Sequence, residues 1–431
     1  MRVCVQGLWH LGCVTAACVA EHFQTTACDS EPQVIERLKE GHPPIFEPGL
    51  SERIAAAMAA QRLSFTSDLS AAVREADAVW VTLDTPVDDQ DVADVDFVER
   101  EAAKVFPYLS DGTIVLISSQ VPVGFTARLE ARFNAAFRRR RVGFAYSPEN
   151  LRLGRAIQSF CNPERIVIGT RSEEVQHQLE PLLRPFCERL EWMSVESAEM
   201  TKHALNAFLA TSVAYANEIA AICEQVGADA KQVERGLKSD ARIGSGAYLG
   251  PGGPFTGGTL ARDLGFLVRM GNGHGVPTHL LSGVRQSNDE HKHWLERKVL
   301  ELVGSLKGRT LAVLGLTYKP ETDTLRRSGS MEFCDWANRQ GARVQAFDPA
   351  IRQLPAESPI QLCSSVELAL SGADALVIGT EWKQFKEISA DQLVAKMRAP
   401  IVVDSTRFLF SQMGTHPKVR YVTVGLQARD R

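Results

Sequence analysis

Residues Arg2–Gly12 read RVCVQGLWHLG, a short apolar strand that runs into a turn bounded by Gly7 and Gly12. Turns that bind dinucleotides follow the spacing Gly-x-Gly-x-x-Gly at the junction of a strand and a helix. Trp9 stands at the second position, where a glycine lets the backbone approach the pyrophosphate of the ligand. The stretch therefore predicts the start of a doubly wound α/β domain, with one departure from the dinucleotide-binding pattern.

The next predicted strand, TTACDS, contains Asp29 at its end. An acid at this place hydrogen-bonds the ribose 2′-hydroxyl of NAD and repels the 2′-phosphate of NADP. We therefore expect NAD as the cofactor, with the indole of Trp9 turned away from it; a strand–turn–helix unit without a nucleotide is the alternative. The loops DTP and SSQVPVG follow further strands of the same predicted sheet. The residues expected to contact NAD are Gly7, Leu8, Trp9, His10, Leu11, Gly12, Asp29, Thr85, Pro86, Ser119 and Gln120.

Strand and helix patterns alternate over the first third of the chain and return from Arg309 onward. Between these parts, AEMTKHALNAFLATSVAYANEIAAICEQVG keeps apolar residues at helical spacing without a breaker. Alternating strands and helices predict parallel sheets. We therefore predict an α/β fold of two Rossmann-like, doubly wound parallel-sheet domains joined by a long helical spine, divided into residues 1–195, 196–303 and 304–431.

The composition is that of a globular protein, with 44% hydrophobic and 23% charged residues and a net charge of −4. This charge argues against nucleic-acid binding, and no apolar run reaches the roughly 20 residues that a membrane helix needs. The nine cysteines are scattered without a metal-binding spacing. We expect a cytoplasmic protein with reduced thiols, no bound metal, no nucleic-acid partner and no membrane partner.

Eight blocks stand in order along nearly the whole chain. They are FEPGL (46–50), TP (85–86), SSQVPVG (118–124), SPENLRLG (147–154), PERIVIG (163–169), AEMTKHALNAFLA (198–210), PGGPFTGGTLARD (251–263) and GLTYKPETDTLRRS (315–328). Together they resemble the UDP-glucose/GDP-mannose dehydrogenase family.

The resemblance implies an NAD-binding Rossmann domain (1–195), a central helical dimerisation domain (196–303) and a C-terminal UDP-sugar-binding α/β domain (304–431) in a homodimer. It also implies a reaction. Members of the family oxidise the 6-hydroxyl of a nucleotide sugar twice with NAD. A cysteine holds the intermediate as a thiohemiacetal and then as a thioester, which water cleaves to the carboxylate.

The resemblance also implies catalytic residues. The family's lysine and asparagine fall on Lys202 and Asn206, four residues apart on one face of the predicted helix. Its aspartate falls on Asp263, where it orients a water or stabilises Lys202, and its acid/base glutamate falls on Glu149. Without the surrounding blocks, a solvent-facing lysine and a loop carboxylate would be the simpler interpretations.

Three positions depart from the family pattern. Thr259 stands where the cysteine belongs, Gln120 replaces a threonine that helps to hold a water, and Leu153 replaces a second glutamate. A threonine hydroxyl is a far weaker nucleophile than a thiolate. We therefore expect cysteine-independent hydride transfer, as one oxidation to the aldehyde or as oxidation and re-reduction in an epimerisation. A 6-dehydrogenase that makes the uronate by two oxidations and a non-catalytic nucleotide-binding homologue are the alternatives.

The substrate contacts are likewise implied by the matching blocks. The basic side chains among them suit a diphosphate. The residues expected to contact the nucleotide sugar are Glu149, Asn150, Leu151, Arg152, Leu153, Tyr248, Leu249, Gly252, Gly257, Lys319 and Arg326.

Overall fold

The computed structural model describes residues 1–87, 93–149, 151–255 and 259–428. The chain divides into two compact units, Met1–Ala204 and Leu205–Arg431. Each unit contains one open sheet flanked by helices, and the helix Val195–Val226 runs across the division. The predicted fold class is confirmed, whereas the predicted three-part division of the chain stays a prediction.

The first unit contains a sheet of eight described strands. They are β1 (Arg2–Gln6), β2 (Gln24–Cys28), β3 (Leu63–Thr66), β4 (Ala78–Val81), β5 (Ile114–Ile117), β6 (Gly143–Tyr146), β7 (Ile166–Thr170) and β8 (Leu190–Met193). Its helices are α1 (His10–Val19), α2 (Pro32–Lys39), α3 (Leu50–Ala59), α4 (Leu69–Arg74), α5 (Val95–Ala103), α6 (Phe125–Ala136), α7 (Ala156–Cys161) and α8 (Glu173–Leu183).

The strand order of this sheet is β3-β2-β1-β4-β5-β6-β7-β8. The order reverses between β1 and β4, and ligands of such sheets bind in the crevice at the carboxyl ends of the strands at this switch point. Strands β4 and β5 are buried along their whole length because helices cover both faces of the sheet. The turn after β1 therefore lies at the predicted ligand crevice.

One part of this sheet differs from the parallel prediction. Strand β7 runs antiparallel to β6, with Ala145 opposite Thr170 and Tyr146 opposite Gly169, and β8 then runs parallel to β7. A parallel connection needs a crossover helix that returns along the full strand. The intervening helix α7 has only six residues, about 9 Å at 1.5 Å per residue, and does not provide that return.

The middle of the chain is helical, as predicted. Its elements are α9 (Val195–Val226), α10 (Ala230–Ser239), α11 (Thr259–Gly273), α12 (His279–Lys292) and α13 (Trp294–Val303). Helix α9 contains no glycine or proline over its 32 residues. In the second unit, Ala207, Ala210 and Ala214 of α9 pack in one apolar cluster with Leu264 and Val284, because alanines let neighbouring helices approach closely.

The second unit contains a smaller sheet in which all described pairs are parallel. Its order is β11-β10-β9-β12-β13-β14. The strands are β9 (Thr310–Leu314), β10 (Arg343–Phe347), β11 (Gln361–Leu362), β12 (Ala375–Ile378), β13 (Ile401–Asp404) and β14 (Arg420–Val422), and the helices are α14 (Gly329–Arg339), α15 (Val366–Leu370), α16 (Ala390–Lys396) and α17 (Phe410–Met413). Among the described helices, none combines the length and apolar character needed to cross a membrane.

Candidate active site

The turn after β1 brings strand and helix into close contact through its two glycines. Gly7 has a φ of +94°, which favours glycine, and a Cβ there would lie 2.8 Å from Leu83 Cδ2. A Cβ on Gly12 would lie 1.8 Å from the Gly7 carbonyl oxygen. A side chain at Gly12 would therefore separate α1 from β1, which is the role of the third glycine in dinucleotide-binding turns.

Trp9 precedes α1 as its N-cap residue, with an extended backbone and 46% of its surface exposed. No side chain caps this described helix end. The first amides of α1 are therefore available to an anion such as a pyrophosphate. The orientation of the Trp9 indole relative to a bound cofactor stays a prediction.

Asp29 follows β2 and contacts the same turn. Its Oδ2 accepts a hydrogen bond from the Leu8 amide at 2.8 Å, and its Oδ1 accepts one from the Glu31 amide at 3.0 Å. The residue is half-buried, and each carboxylate oxygen has a second lone pair. Asp29 therefore orders the turn and keeps acceptor capacity for ribose hydroxyls.

The second sheet contains a counterpart of this aspartate. Asp348 follows β10 and accepts hydrogen bonds from the amides of Leu316 and Thr317 at 2.7 and 3.0 Å and from Trp382 Nε1 at 3.1 Å. It is 1% exposed. The carboxylate oxygens of Asp348 are occupied by donors within the protein. Asp348 therefore has a structural role in the second sheet, whereas Asp29, at the equivalent position of the first sheet, suits a ligand.

Two loops predicted to contact the cofactor bind each other. Thr85 Oγ1 donates to the Gln120 carbonyl oxygen at 2.7 Å, and both residues are buried. Next to them, Ser119 Oγ is buried and has no hydrogen-bond partner among the described residues. An orphaned hydroxyl beyond the carboxyl end of β5 fits a polar ligand. These loops, the glycine turn and Asp29 together fit NAD.

Glu47 is a buried residue of this region that the site prediction missed. Its Oε2 lies 3.0 Å from His10 Nε2 and accepts a hydrogen bond from the Gly154 amide at 2.9 Å. Its Oε1 accepts one from the Ala156 amide at 2.7 Å. The FEPGL block contains Glu47, but its partners are distant in sequence and no local spacing indicates them.

Lys202 and Glu149, two predicted catalytic residues, form a pair. Lys202 Nζ lies 2.5 Å from the Glu149 carbonyl oxygen and 3.3 Å from its Oε1. The lysine side chain is 6% exposed and the glutamate side chain 22% exposed. The Leu151 amide donates to Glu149 Oε2 at 2.8 Å and fixes the carboxylate further. A carboxylate and a buried lysine side chain are thus held together.

The first turns of α9 are also fixed to the loop that precedes α6. Glu199 accepts hydrogen bonds from the amides of Gly124 and Thr126 at 2.6 and 2.9 Å. His203 Nε2 lies 2.9 Å from the Val121 carbonyl oxygen. Burial raises the pKa of Glu199 despite these bonds from backbone amides. Neither residue was predicted, although both belong to the block that contains Lys202.

Asn206 and Asp263 form the second pair of predicted catalytic residues. Asn206 Nδ2 donates to Asp263 Oδ2, and both residues are buried. Asn206 lies one turn after Lys202 on α9. Thr259 is the exposed first residue of α11, one turn before Asp263. The threonine that we expect at the family's cysteine position is therefore accessible.

No cysteine lies close to Thr259 in the sequence; the nearest is Cys223. Cys223 is buried in the apolar cluster that contains Trp294 and Leu311, whereas α11 contributes Leu264 to a different cluster. The nine cysteines are all free thiols. Within the described residues, no group of three or more histidine, cysteine, aspartate or glutamate side chains is arranged to hold a metal ion.

Three buried side chains hold the loop before α11. Asn217 accepts from the Gly252 amide at 3.0 Å, and His291 Nε2 lies 2.7 Å from the Gly252 carbonyl oxygen. Asn288 binds both the amide and the carbonyl of Phe255 at 2.9 Å. These polar residues of α9 and α12 were not predicted, because their partners are backbone groups of another segment.

The remaining predicted substrate residues are mostly accessible. Arg152, Tyr248 and Arg326 are exposed, whereas Leu151, Leu153, Leu249 and Lys319 are half-buried. Asn150 and Gly257 lie outside the described residues. The Leu151 amide contacts Glu149, and the part of the other residues in substrate binding stays a prediction.

Three family models match successive segments of the chain. The NAD binding domain of the UDP-glucose/GDP-mannose dehydrogenase family matches residues 1–187, its central domain residues 196–290 and its UDP binding domain residues 312–411.

Curated relatives match along nearly the full chain. UDP-glucose 6-dehydrogenase of Pseudomonas aeruginosa is 36% identical over 421 residues, covering 94% of this chain and 93% of that protein. UDP-glucose 6-dehydrogenase TuaD of Bacillus subtilis is 34% identical over 416 residues, covering 95% and 90%. Among solved structures, a UDP-glucose dehydrogenase from Pyrobaculum islandicum has a TM-score of 0.86 at 30% identity and covers 95% of both chains.

Proposed function

Since the chain belongs to the UDP-glucose/GDP-mannose dehydrogenase family and has its NAD-binding and UDP-binding domains, we propose that it oxidises the 6-hydroxyl of a UDP-sugar once, to the aldehyde. The observation that carries this proposal is the presence of the Lys202–Glu149 and Asn206–Asp263 pairs. To these we add the sequence-based expectation that Thr259 stands at the family's cysteine position. In this proposal the two pairs serve hydride transfer, and Thr259 takes the place of the thiol that the second oxidation needs.

The Lys202–Glu149 pair supplies the proton chemistry in this proposal. Oxidation of an alcohol requires a base for the hydroxyl proton while the hydride leaves. Glu149 has the exposed edge of the pair and takes this proton, directly or through a water. Lys202, a buried ammonium group, stabilises the negative charge that develops on the sugar oxygen. Bound NAD supplies the hydride acceptor.

Asn206 supplies an amide hydrogen-bond donor in this proposal. Its Nδ2 already donates to Asp263, which fixes the orientation of the amide. An amide has two N–H donors, so one remains for the substrate or a water. Asp263 is fully buried and acts through Asn206, so we assign it a positioning role.

Thr259 limits the reaction to one oxidation. The second hydride transfer needs a covalent adduct or a hydrate of the aldehyde, and a thiolate is the good nucleophile for the adduct. A threonine hydroxyl requires a base for activation. No described contact pairs the Thr259 hydroxyl with one. Release of the aldehyde is then the expected outcome.

Product stoichiometry tests the proposal. The protein is incubated with NAD and UDP-glucose, UDP-N-acetylglucosamine and their epimers, and NADH is compared with the sugar products by mass spectrometry. One NADH per aldehyde supports the proposal. An epimer without net NADH would contradict oxidation at the 6-hydroxyl and indicate oxidation and re-reduction at a secondary hydroxyl. Two NADH per carboxylate would contradict the proposal and identify a 6-dehydrogenase, the activity named for the curated relatives. Failure to bind NADH would favour the non-catalytic alternative.

We also propose a homodimer through α9. Residues Phe208, Tyr215 and Ile222 recur every seven positions on this helix and are 46–68% exposed. Val226 adds a further exposed apolar side chain. A stripe at this spacing suits a second copy of the same helix. The same proposal assigns residues 1–195 to NAD, 196–303 to dimerisation and 304–431, with Lys319 and Arg326, to the UDP-sugar. Sedimentation at micromolar concentration tests the dimer, which Phe208→Glu should dissociate.

A further inference from the structure

Glu47 connects two segments of the first unit that the proposed reaction uses for different ligands. On one side it contacts His10, the first residue of α1, in the turn assigned to NAD. On the other side it binds the amide of Gly154, the last residue of the SPENLRLG block that contains Glu149, and the amide of Ala156 at the start of α7. One carboxylate therefore contacts both the cofactor turn and the segment beside the acid/base residue.

The environment makes these contacts sensitive to one another. The Glu47 side chain is 1% exposed and the His10 side chain 16% exposed, so water does not replace a lost partner easily. His10 Nε2 and the Gly154 amide both contact the same oxygen, Oε2. A buried carboxylate that loses one hydrogen-bond donor is destabilised. Its hydrogen bonds to the remaining donors then change in length, or the carboxylate moves together with these donors.

The second segment leads directly to the catalytic pair. Gly154 has a φ of +83°, so its backbone adopts a conformation that favours glycine and is held there by Glu47. Upstream, the Leu151 amide binds the carboxylate of Glu149, and Glu149 contacts Lys202. A shift of residues 151–154 therefore moves a donor of the Glu149 carboxylate.

We propose that the His10–Glu47 pair is a positioning device that links NAD(H) binding at the first turn to nucleotide-sugar binding beside Glu149. The inference rests on the proposed function, since it takes both ligands from it. A ligand that binds at the N-terminus of α1 restricts the position of His10. His10 in turn restricts Glu47, and Glu47 restricts residues 151–156 through its bonds to the Gly154 and Ala156 amides. By thermodynamic linkage the nucleotide sugar acts on NAD(H) affinity by the same factor.

The test measures binding without turnover. The dissociation constant of UDP-glucose is determined by calorimetry with and without saturating NADH, for the wild-type protein and His10→Leu. We expect NADH to tighten UDP-glucose binding about five-fold or more in the wild type. In His10→Leu this factor should fall to within two-fold of unity.

Two matched variants separate linkage from a general structural effect. His10→Gln places an amide donor near the position of Nε2 and should restore the wild-type factor. His42→Leu removes an exposed histidine beside Glu40 and should leave the factor unchanged. If His10→Leu does not fold, Glu47→Gln, which removes an acceptor but keeps the shape, serves in its place.

The outcomes distinguish the two proposals. A wild-type protein that binds neither NADH nor UDP-glucose contradicts the proposed function. A protein that binds both ligands without linkage, or a His10→Leu variant that keeps the full factor, overturns the positioning role while leaving the proposed function in place.

Discussion

Lys202 Nζ contacts both the carbonyl and the carboxylate of Glu149, and this pair joins the start of α9 to the segment after β6. The lysine is buried and its described contacts are to oxygen atoms of one residue. A cation in this position serves a reaction that develops negative charge beside it, which is the basis of the first prediction.

Lys202→Met should lower kcat for NADH formation by about 10²-fold or more, because proton transfer and charge stabilisation each depend on the pair. NADH affinity should stay within about three-fold of the wild type. Initial rates and fluorescence titration with NADH measure the two quantities. Lys104→Met, which removes a surface lysine paired with Glu101, is the matched control. A Lys202→Met protein with more than a tenth of the wild-type kcat would remove Lys202 from the mechanism.

Gly12→Ala should destabilise the first unit by about 1–3 kcal/mol, the usual cost of overpacking. The added Cβ would lie 1.8 Å from the Gly7 carbonyl oxygen, so α1 has to move away from β1. Because the same movement displaces the first amides of α1, NADH binding should weaken at least ten-fold.

The matched control for this change is Gly283→Ala on α12, where a Cβ meets no atom within 4 Å. It should stabilise the protein by about 0.5–1 kcal/mol through helix propensity. Denaturant unfolding and NADH titration of both variants provide the comparison. Equal stability of Gly12→Ala and the wild type would show that the turn adapts.

The sequence predicted the parts of this molecule that depend on local spacing. Gly7, Gly12 and Asp29 indicated an NAD-binding turn, and the matched NAD binding domain confirms the cofactor. The ordered blocks indicated the family, which the three family models confirm. The alternation of strands and helices indicated two α/β sheets, which are present. Each of these features is specified by residues within one supersecondary unit.

Contacts between segments distant in sequence were not predictable in the same way. Glu47 binds Gly154 and Ala156, and His291 binds Gly252, through backbone groups that any residue type provides. Because the backbone carbonyl and amide are the same for nearly all residue types, the sequence does not indicate which of them a side chain binds. Only the fold identifies these partners. The direction of β7 was missed for a related reason, because a strand pattern does not encode orientation.

Asp29→Asn should narrow the preference for NADH over NADPH by about ten-fold or more, because the carboxylate both accepts from the ribose and repels a 2′-phosphate. The asparagine carbonyl oxygen still accepts from the Leu8 amide and so keeps the bond to the glycine turn, whereas the Glu31 amide loses its acceptor. Competition titrations with the two cofactors measure the ratio. Glu31→Gln, which removes a neighbouring exposed charge, should leave the ratio unchanged. If both variants changed the NADH-to-NADPH ratio equally, the preference would come from the overall negative charge near the turn rather than from a contact between Asp29 and the ribose.

His291 should make stability fall as the pH is lowered. Burial lowers the pKa of His291 even though the bond to the Gly252 carbonyl opposes this shift. The unfolded chain then binds a proton at a pH where the folded protein does not. The stabilisation is therefore complete above the unfolded pKa of about 6.5 and is lost as the pH falls from there through the folded pKa.

His291→Gln should accordingly reduce the loss of Tm between pH 7.5 and pH 5.5, while its amide can still donate to the Gly252 carbonyl. His177→Gln, at an exposed position of α8, should keep the wild-type pH dependence. Differential scanning calorimetry at four pH values provides the comparison. A pH dependence unchanged by His291→Gln would show that protonation elsewhere controls acid stability.

Thr259→Cys tests whether the rest of the site supports the second oxidation. A thiol at this exposed position supplies a far better nucleophile than the threonine hydroxyl. If Lys202, Glu149, Asn206 and Asp263 already fit the covalent intermediate, the variant should produce two NADH and one carboxylate per UDP-sugar. Mass spectrometry under denaturing conditions should also detect a thioester on the enzyme.

Thr259→Ser is the control for this change, because it keeps the hydroxyl and removes only a methyl group. It should retain the wild-type product and stoichiometry, since serine is no better a nucleophile than threonine without a base. A carboxylate from both variants would mean that a hydrated aldehyde, rather than a covalent adduct, is oxidised. A Thr259→Cys protein that still stops at one NADH would place the block elsewhere, at Gln120 or Leu153, the other two departures from the family pattern.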